Sequence, residues 1–419
     1  MISDEAGDER RIYVGLARHT GDEVQPAGLM KLVRRGVVES GEFAYGRRYL
    51  QDPAALPLNP EQLPLRDAAF TLPERRIREG GAMPLTLRDA LPDSWGRKVL
   101  EIRHGKPLSD IDALLLTNED RIGAMMFAEA LPIQSEEPPS MLWSLEELAE
   151  ASRRVEEGME IGPDMHLLRG GSLGGARPKA AFAHEGRRYI AKFSSRGDDH
   201  DVEVIEAATL WLASACGIRV PAFLLQPLAF GHALLVERFD RTGPVNDEQR
   251  HHYLSASALL DVPYESSRGS YVELAQLLRR ISARPQEDLT ELFRRLVFNL
   301  AVGNSDDHVK NHGALRQGDG LWRLAPAFDL VMQLGGHTGY QELAILPGQH
   351  ASSLALARAA APHFGLSAAE ADRIIRRTEE TVSVQAAASV EASGGNRELV
   401  RRVAAFIEQQ YDRIRAQGL

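Results

Sequence analysis

The sequence has almost no cysteine: Cys216 is the single one among 419 residues. A disulfide within the chain needs two thiols, and a cysteine-only metal site needs several, so both are excluded. Cys216 ends the apolar run LWLASAC, where burial is expected to raise the pKa of its thiol, the opposite of what activates a nucleophile. The residue is therefore predicted to be part of a hydrophobic core.

Long hydrophobic runs are also missing. The longest apolar stretches, such as ASALL and LWLASAC, are far shorter than the roughly 20 residues of a membrane-spanning helix. The first residues, MISDEAGDERR, lack the apolar core of a secretion signal. We therefore expect a soluble, cytoplasmic protein with no membrane contact.

The sequence also lacks an excess of positive charge. Lysine and arginine number 49 against 59 aspartates and glutamates, which gives a net charge of −10. Such a chain has no overall attraction for nucleic acid or anionic lipid, so a DNA contact would need a local basic patch or a basic partner. The hydrophobic content of 43% is ordinary for a globular protein, and the length predicts two or three domains.

Three regions follow from the pattern along the chain. Short strands such as IYVGLARH and FAYGRRYL, with helices such as TLRDALPDSWGRKVLE, predict a small mixed α/β domain over residues 1–140. A polar, proline-rich stretch then precedes Ser144 and Glu147, which fit a helix-opening capping box. We expect a β-rich region over 141–241, with a hairpin turning at HEGR, and a helical region over 242–419.

The richest segment for chemistry is GNSDDHVKNH, at positions 303 to 312. Asp306 and Asn311 lie five positions apart in it, and Asp329 follows a stretch that turns at QGDG like a hairpin. This is the order needed for phosphoryl transfer. One carboxylate takes the proton of the acceptor hydroxyl, and an amide oxygen and a second carboxylate hold magnesium at the ATP phosphates.

Phosphoryl transfer also requires parts upstream, and the sequence supplies them in order. The glycines of GGSLGGARPK, residues 170–179, allow backbone N–H groups to approach a polyanion. Lys192 lies in the alternating run RRYIAKF. Glu206 lies in the apolar-periodic run DVEVIEAATLWLASACG, which predicts a helix that ends at Gly217 and fixes the lysine.

In these segments the chain resembles the HipA-like serine/threonine kinases of bacterial type II toxin–antitoxin systems. The resemblance rests on SLGGARPKAA, IAKF, LLVERFDR, SDDHVKN and FDL, and on YVGLARH, ALPDSWGRKVLE and RIGAMMF in the amino-terminal region. It covers nearly the whole chain. It implies an α+β, bilobal protein-kinase-like fold, with a β-rich N-lobe and a helical C-lobe, preceded by a small mixed α/β amino-terminal domain.

The resemblance also implies roles for particular residues. Asp306 is the expected proton acceptor, Asn311 and Asp329 are the expected magnesium ligands, and Ser172 matches a serine that such kinases autophosphorylate. The residues implied to bind or position the nucleotide are Gly174, Gly175, Ala176, Arg177, Pro178, Lys179, Lys192, Glu206, Glu237, Arg238, Phe239, His308, Val309, Lys310, Asn311, Phe328 and Asp329. The chain departs from the usual pattern at Asp307, Arg177 and Pro178.

The implied activity is that of an ATP- and Mg²⁺-dependent protein serine/threonine kinase that acts as a toxin. Aminoacyl-tRNA synthetases are the implied substrate class, and a small DNA-binding antitoxin of the HipB type is the implied partner. The acidic chain would then reach DNA only through the basic surface of that partner.

Two other functions remain open from the residues alone. Asp306, Asp307 and His308, with His312, could form the transition-metal site of a phosphohydrolase or nuclease. Alternatively, the chain could be a non-catalytic scaffold for an antitoxin. Taken by themselves, Asp306 and Asp307 could simply cap the segment that follows. The metal site leaves Lys192 and the glycine-rich segment without a function, and a scaffold has no reason to require Lys192, Asp306, Asn311 and Asp329, which favours the kinase.

Overall fold

The structure is a computed structural model, and it describes residues 8–19, 24–117, 121–134, 143–159, 175–245, 247–318, 320–335 and 339–417. These residues form two compact units. The first unit holds the described parts of Met1–Leu142, Arg169–Ala176 and Asp240–Leu254, and the second holds those of Trp143–Leu168, Arg177–Phe239 and Ser255–Leu419.

The first unit is built on an antiparallel five-stranded sheet with the strand order β4-β3-β2-β1-β5. Its strands are β1 (Asp8–Leu16), β2 (Gln25–Arg35), β3 (Val38–Tyr45), β4 (Phe70–Arg76) and β5 (Met125–Ala128). The described part of this unit also contains the α-helices α1 (Arg47–Gln51), α2 (Leu85–Arg88), α3 (Ser94–His104) and α4 (Asp110–Leu116). Alternate strand residues such as Ile12, Val14 and Met30 are fully buried, as expected of a sheet with one face on a core.

The prediction of a strand across FAYGRRYL was wrong in its second half. Strand β3 ends at Tyr45, and a helical turn starts after Gly46, whose carbonyl accepts a hydrogen bond from Leu50 N–H at 3.0 Å. The helical spacing places the Tyr49 ring parallel to the Tyr45 ring, with centroids 5.9 Å apart. Packing of these two buried rings therefore favours a helix where the residue pattern suggested a strand.

The chain returns to the first unit through Asp240–Leu254, which contains the short strands β10 (Arg241–Thr242) and β11 (Gln249–Arg250). This return is held by buried polar contacts. Asp240 accepts a hydrogen bond from Gly123 N–H at 2.7 Å, and the Arg241 guanidinium donates to the Arg121 carbonyl at 2.8 Å. His252 bonds to the Leu58 carbonyl at 2.7 Å. The returning segment is thus an integral part of this unit.

The second unit begins with helix α5 (Leu145–Glu156) and a four-stranded antiparallel sheet ordered β6-β7-β9-β8. Its strands are β6 (Lys179–His184), β7 (Arg187–Phe193), β8 (Phe223–Pro227) and β9 (His232–Glu237), and helix α6 (Val202–Ala215) packs on the sheet. Glu185 and Gly186 both have positive φ, 48° and 75°, which is typical of a tight two-residue hairpin turn. The hairpin at HEGR is therefore confirmed, as is the capping box of Ser144 and Glu147.

The rest of the second unit is mostly helical. Its elements are α7 (Ala256–Leu260), α8 (Tyr271–Ile281), α9 (Pro285–Ala301), β13 (Gly313–Arg316), β14 (Trp322–Leu324), α10 (Leu354–Ala360), α11 (Ala368–Ala392) and α12 (Arg397–Ala416), while β12 (Tyr253–Ser255) spans the division between the units. Helix α9 is buried over most of its length, with α8, α11 and α12 packed against it. Since α9 leads directly into residues 303–312, this core fixes the start of the candidate site.

The expectation for Cys216 is confirmed. Cys216 is buried, and burial raises the pKa of its thiol to about 11. Within the described residues, no helix is both long and apolar enough to cross a membrane.

We expect Phe293→Ala to lower the free energy of unfolding by about 3–5 kcal/mol, because it leaves a cavity in the core around α9. Phe293 is fully buried and meets Phe364 edge to face, with ring centroids 5.3 Å apart. Urea unfolding measures the loss. Phe230→Ala is the control, because Phe230 is 93% exposed and its truncation should change stability by less than about 0.5 kcal/mol. Equal losses in the two variants would contradict this account of the core.

Candidate active site

A cluster of three charged side chains forms the first half of the candidate site, in the second unit. Lys192 Nζ lies 2.5 Å from Glu206 Oε1 and 3.0 Å from Asp329 Oδ1. The side chains of Lys192 and Glu206 are only 14% and 5% exposed, whereas that of Asp329 is 43% exposed. The buried Glu206 therefore fixes the lysine, and the Asp329 carboxylate remains accessible to a ligand.

The pKa values of the cluster follow from these contacts. The positive charge of Lys192 is the main cause that lowers the pKa of Asp329 to about 2, against the opposing effect of burial. Burial acts to lower the pKa of Lys192, but the charges of Asp329 and Glu206 together outweigh it and raise that pKa. Lys192 and Asp329 are therefore both ionised around neutral pH.

A second lysine lies next to this cluster. In the antiparallel pair of β6 and β7, Lys179 is directly opposite Lys192, so both side chains leave the same face of the sheet. Lys179 is buried, and its charge also contributes to the low pKa of Asp329. Two ammonium groups thus lie on one sheet face near one exposed carboxylate.

Helix α6 and the segment around Asp329 are fixed to one another. The Asp201 side chain caps the helix by accepting from Val204 N–H at 3.1 Å, and farther along the helix Thr209 Oγ1 accepts from Met332 N–H at 3.2 Å. Asp329 has a positive φ of 57°, a left-handed conformation that aspartate and asparagine tolerate better than most residues. This backbone conformation is maintained by contacts on both sides of Asp329, since Ala327 N–H also donates to the Arg219 carbonyl at 2.7 Å.

The second half of the site is the segment that follows α9. Asn311 Nδ2 donates to the backbone carbonyl of Asp306 at 3.1 Å, which closes the segment and leaves the Asn311 amide oxygen available. The Asp306 side chain is exposed, and its carboxylate makes no hydrogen bond within the described part of the chain. Partial burial raises its pKa, and the charges of Asp329 and Glu342 raise it further, against the opposing effect of His308. A raised pKa makes this carboxylate a better proton acceptor.

The neighbouring Asp307 has the opposite surroundings. It is buried, it accepts a hydrogen bond from the Tyr271 hydroxyl, and its Oδ1 lies 2.9 Å from His312 Nε2. Burial acts to raise the pKa of Asp307, but His312 and Tyr271 outweigh it and the pKa is lowered. Asp307 adds only weakly to the raised pKa of Asp306. It anchors the segment, and Asp306 faces outward.

Glu342 is a residue that the sequence did not single out. Its backbone N–H donates to the Ser305 carbonyl at 3.0 Å, and Leu343 N–H donates to the Asp307 carbonyl at 2.8 Å. These bonds hold Glu342 beside Asp306. Nothing in the stretch GYQELAILPG signals this contact, because it joins positions 36 residues apart through backbone groups that every residue carries.

The predicted nucleotide-binding residues Glu237, Arg238 and Phe239 lie at and just after the end of β9, and Phe239 contacts the neighbour of Asp329 in sequence. The Phe239 and Phe328 rings pack together with centroids 5.5 Å apart. Glu237 accepts a hydrogen bond from the Arg187 guanidinium at 2.7 Å, and Arg238 N–H donates to the Arg188 carbonyl at 2.9 Å. The backbone of Arg238 therefore extends the contact between β9 and β7 past the end of the strand.

His308, Val309 and Lys310 follow Asp307 in the same segment. Val309 is buried, the His308 ring packs on Tyr264 with centroids 5.7 Å apart, and Lys310 Nζ lies 4.7 Å from the Tyr264 ring centroid. The buried His308 Nδ1 has no hydrogen-bond partner among the described residues. A buried nitrogen without a partner is suited to a ligand that the structure does not contain.

The glycine-rich segment is only partly described. Gly174 and Ser172 lie outside the described residues, and Gly175 and Ala176 belong to the first unit. The Pro178 carbonyl accepts from Phe193 N–H at 3.0 Å.

The side chain of Arg177 makes ion pairs that the sequence did not predict. Arg177 Nη2 lies 2.6 Å from Asp198 Oδ2 and 3.0 Å from Glu203 Oε1. Asp198 and Glu203 were both missed. The spacing of Glu203, three residues before Glu206 on α6, is the one signal that could have revealed it.

The donor atoms present fit magnesium and a polyphosphate. The accessible oxygens of Asp329 and Asn311 are hard ligands, which magnesium prefers in small numbers together with phosphate oxygens. The described residues contain no group of three or more histidine, cysteine, aspartate or glutamate side chains placed to hold a metal ion. The Asp307 and His312 side chains, which a transition-metal site would have needed, bind each other instead.

Comparison with known proteins places this geometry in a family. A family model described as the HipA-like C-terminal domain matches residues 171–386. The chain belongs to this HipA-like family. The HipA-like chain is 29% identical over 324 residues to a Sinorhizobium fredii protein named "Putative kinase Y4mE", which covers 69% of this chain and 71% of that protein. It is 24% identical over 383 residues to "Putative kinase Y4dM" of the same organism, which covers 87% and 90%.

A solved structure shows the same fold. The HipA-like chain matches a chain of the Shewanella oneidensis HipA, HipB and operator DNA complex with a TM-score of 0.68 and 18% identity, over 96% of each chain. The predicted fold class, an α+β kinase-like fold with a mixed amino-terminal domain, is therefore confirmed.

We expect Asp329→Asn to destabilise the HipA-like chain in a pH-dependent way. The pKa of Asp329 is lowered from 3.8 to about 2, so its ion pair stabilises the fold above its ordinary pKa and loses this effect as the pH falls towards 2. The difference in unfolding free energy between wild type and variant should therefore be constant near neutral pH and shrink in acid, as urea unfolding at several pH values would show.

Asp261→Asn is the matched control for that comparison. Asp261 is exposed and also has a positive φ, of 53°, so the substitution removes a carboxylate from the same backbone conformation without breaking the Lys192 pair. A pH-independent effect of Asp329→Asn, or an equal effect of both variants, would contradict the assigned ion pair.

Tyr271→Phe should lower the free energy of unfolding by about 1–3 kcal/mol, because it leaves Oδ2 of the buried Asp307 without its hydrogen-bond donor. Chemical denaturation measures this loss. Tyr189→Phe is the control: Tyr189 is only 6% exposed, but its hydroxyl makes no hydrogen bond within the described residues. If the two variants lose the same stability, the Tyr271 bond does not anchor the segment.

Proposed function

We propose that this chain is an ATP- and Mg²⁺-dependent protein serine/threonine kinase that acts as the toxin of a toxin–antitoxin pair. The observation that carries the proposal is the cluster in which Lys192 pairs with both Glu206 and Asp329. A strand lysine fixed by a helix glutamate, next to a carboxylate that can hold a metal, is the arrangement that kinases use to bind ATP. Membership of the HipA-like family and the kinase names of two relatives support it.

Different side chains have different roles in the proposed phosphoryl transfer. Lys192 and Lys179 offset the charge of the phosphates, and Glu206 keeps Lys192 in place. Asp329 and the Asn311 amide oxygen are the proposed magnesium ligands. When bound, the metal neutralises charge on the phosphates.

Asp306 is the proposed proton acceptor for the hydroxyl of the protein substrate. Its carboxylate is exposed and makes no hydrogen bond within the described residues, so a substrate hydroxyl can donate to it directly. Its raised pKa strengthens it as a base. Asp307 and Asn311 hold the backbone on either side, so that Asp306 need not reorganise when substrate binds.

The finer parts of the proposal concern regulation and partners. We propose autophosphorylation at Ser172, whose added negative charge would repel ATP phosphates, and an aminoacyl-tRNA synthetase as substrate in the cytoplasm. A small antitoxin of the HipB type is the proposed partner, supported by the complex in which the Shewanella oneidensis HipA was solved. A net charge of −10 suits a chain that reaches DNA only through such a partner.

Radiolabelled ATP tests the activity. With Mg²⁺, the wild-type protein should transfer label to protein, itself included. Asp306→Asn should slow this transfer by about 10²–10⁴-fold, the usual contribution of a general base, and removal of Mg²⁺ with a chelator should abolish it. Asp261→Asn, which alters an exposed aspartate of the same unit, should transfer label at the wild-type rate.

Other outcomes identify the competing functions. Release of free phosphate without labelled protein would indicate a phosphohydrolase. If neither product forms while the chain still binds an antitoxin, it is a scaffold.

A further inference from the structure

Arg177 directly follows the glycine-rich segment in sequence, yet its side chain is bound to two carboxylates. Its Nη1 and Nη2 lie 2.7 and 2.6 Å from the two oxygens of Asp198, and Nη2 lies 3.0 Å from Glu203 Oε1. The paired contacts with Asp198 form the planar two-point geometry that arginine makes with a carboxylate and lysine cannot reproduce. The guanidinium is thus neutralised within the protein.

Glu203 is a buried charge that depends on this arginine. Its side chain is 1% exposed, and its other oxygen accepts a hydrogen bond from Ser194 Oγ at 2.8 Å. A buried carboxylate is costly unless it is both paired and hydrogen-bonded. Without Arg177, Glu203 would have to move, admit water or take up a proton.

The two glutamates of α6 repeat one arrangement in successive turns. Glu203 pairs with Arg177, which precedes β6, and Glu206 pairs with Lys192 of β7. The two positions lie three residues apart and therefore on neighbouring parts of one helix face. A shift of α6 that relieved an unpaired Glu203 would also move Glu206 away from Lys192, because the helix moves as a rigid body.

Asp198 connects the same arginine to the end of β7. Its carboxylate accepts from Ser195 N–H at 2.7 Å, and its own N–H donates to the Ser195 carbonyl at 3.1 Å. These bonds close the turn that follows Phe193, next to Lys192. Arg177 therefore joins three parts of the unit: the start of β6 with Lys179, the end of β7 with Lys192, and α6 with Glu206.

We infer that Arg177 is a positioning residue for the proposed phosphoryl transfer, which holds Lys179, Lys192 and Glu206 in register through Glu203 and Asp198. This inference rests on the proposed kinase function and deepens it. It gives Arg177 an indirect role, in place of the direct nucleotide contact that the resemblance implied.

The test is a cycle of Arg177→Gln, Glu203→Gln and the double variant, with kcat and KM for ATP measured for each. Misplacement of the lysines should lower kcat/KM of Arg177→Gln by about 10- to 100-fold. Arg177→Lys restores the charge without the two-point contact and should recover only part of the loss. In the Arg177→Gln background, Glu203→Gln should raise kcat/KM, because it removes the unpaired buried charge.

The direction in which Glu203→Gln changes kcat/KM in the Arg177→Gln background distinguishes a positioning role of Arg177 from direct contact with the phosphates. If Arg177 touched the phosphates, Glu203→Gln could not rescue its loss, and the two effects would add. Additive losses would therefore overturn the inference, as would a kcat/KM of Arg177→Gln equal to that of wild type. Should Arg177→Gln fail to fold, Arg177→Lys and Glu203→Gln, alone and combined, provide the same comparison.

Two controls keep this test distinct from that of the kinase proposal. Arg196→Gln removes an arginine from the same turn that is 67% exposed, and it should leave kcat/KM unchanged. Binding of a fluorescent ATP analogue to the wild-type chain is measured first. Absence of both binding and transfer in wild type would refute the kinase, whereas a competent wild type with unaffected Arg177 variants would refute only the role of Arg177.

Discussion

The interaction on which the site depends is the burial of one ammonium group between two carboxylates. Lys192 is shielded from solvent, so its charge requires Glu206 and Asp329 as partners. Each partner comes from a different element, one from α6 and one from the segment after β14. A single lysine thus holds a strand, a helix and a loop together. The attraction between its ammonium group and the two carboxylates is strongest where water is excluded.

Neighbouring residues of identical type acquire different properties from their surroundings. Asp306 and Asp307 are adjacent in sequence, yet one side chain is exposed with a raised pKa and the other is buried with a lowered pKa. Tyr271 and His312 hold the second, which keeps the first turned outward. Glu203 and Glu206 differ only in their partners, since both are buried: Glu203 pairs with Arg177, whereas Glu206 contacts the site lysine. Environment, rather than residue type, assigns the chemistry.

Much of this arrangement could be predicted from the sequence, because local patterns have local physical causes. The capping box of Ser144 and the hairpin turn of Glu185 and Gly186 follow from short-range rules. The order of Lys192, Glu206, Asp306 and Asp329 could be compared with the order of parts that phosphoryl transfer needs. The missed features are contacts between distant segments. Backbone hydrogen bonds to Ser305 and Asp307 place Glu342 beside Asp306, and the Arg177 guanidinium pairs with Asp198 and Glu203. The helix at Tyr49 depends on ring packing that no strand propensity encodes.

The return of Asp240–Leu254 to the first unit has a consequence for dissecting the protein. Asp240 and Arg241 are bonded to the loop before β5, so a fragment that stopped at residue 142 would lack the groups that bond the Arg121 carbonyl and the Gly123 N–H. The complementary fragment would retain a segment with no sheet to dock against. No single proteolytic cut therefore releases either unit whole. Each unit is made of chain segments that alternate with those of the other, so a separate unit would have to be obtained by circular permutation or by co-expression of pieces.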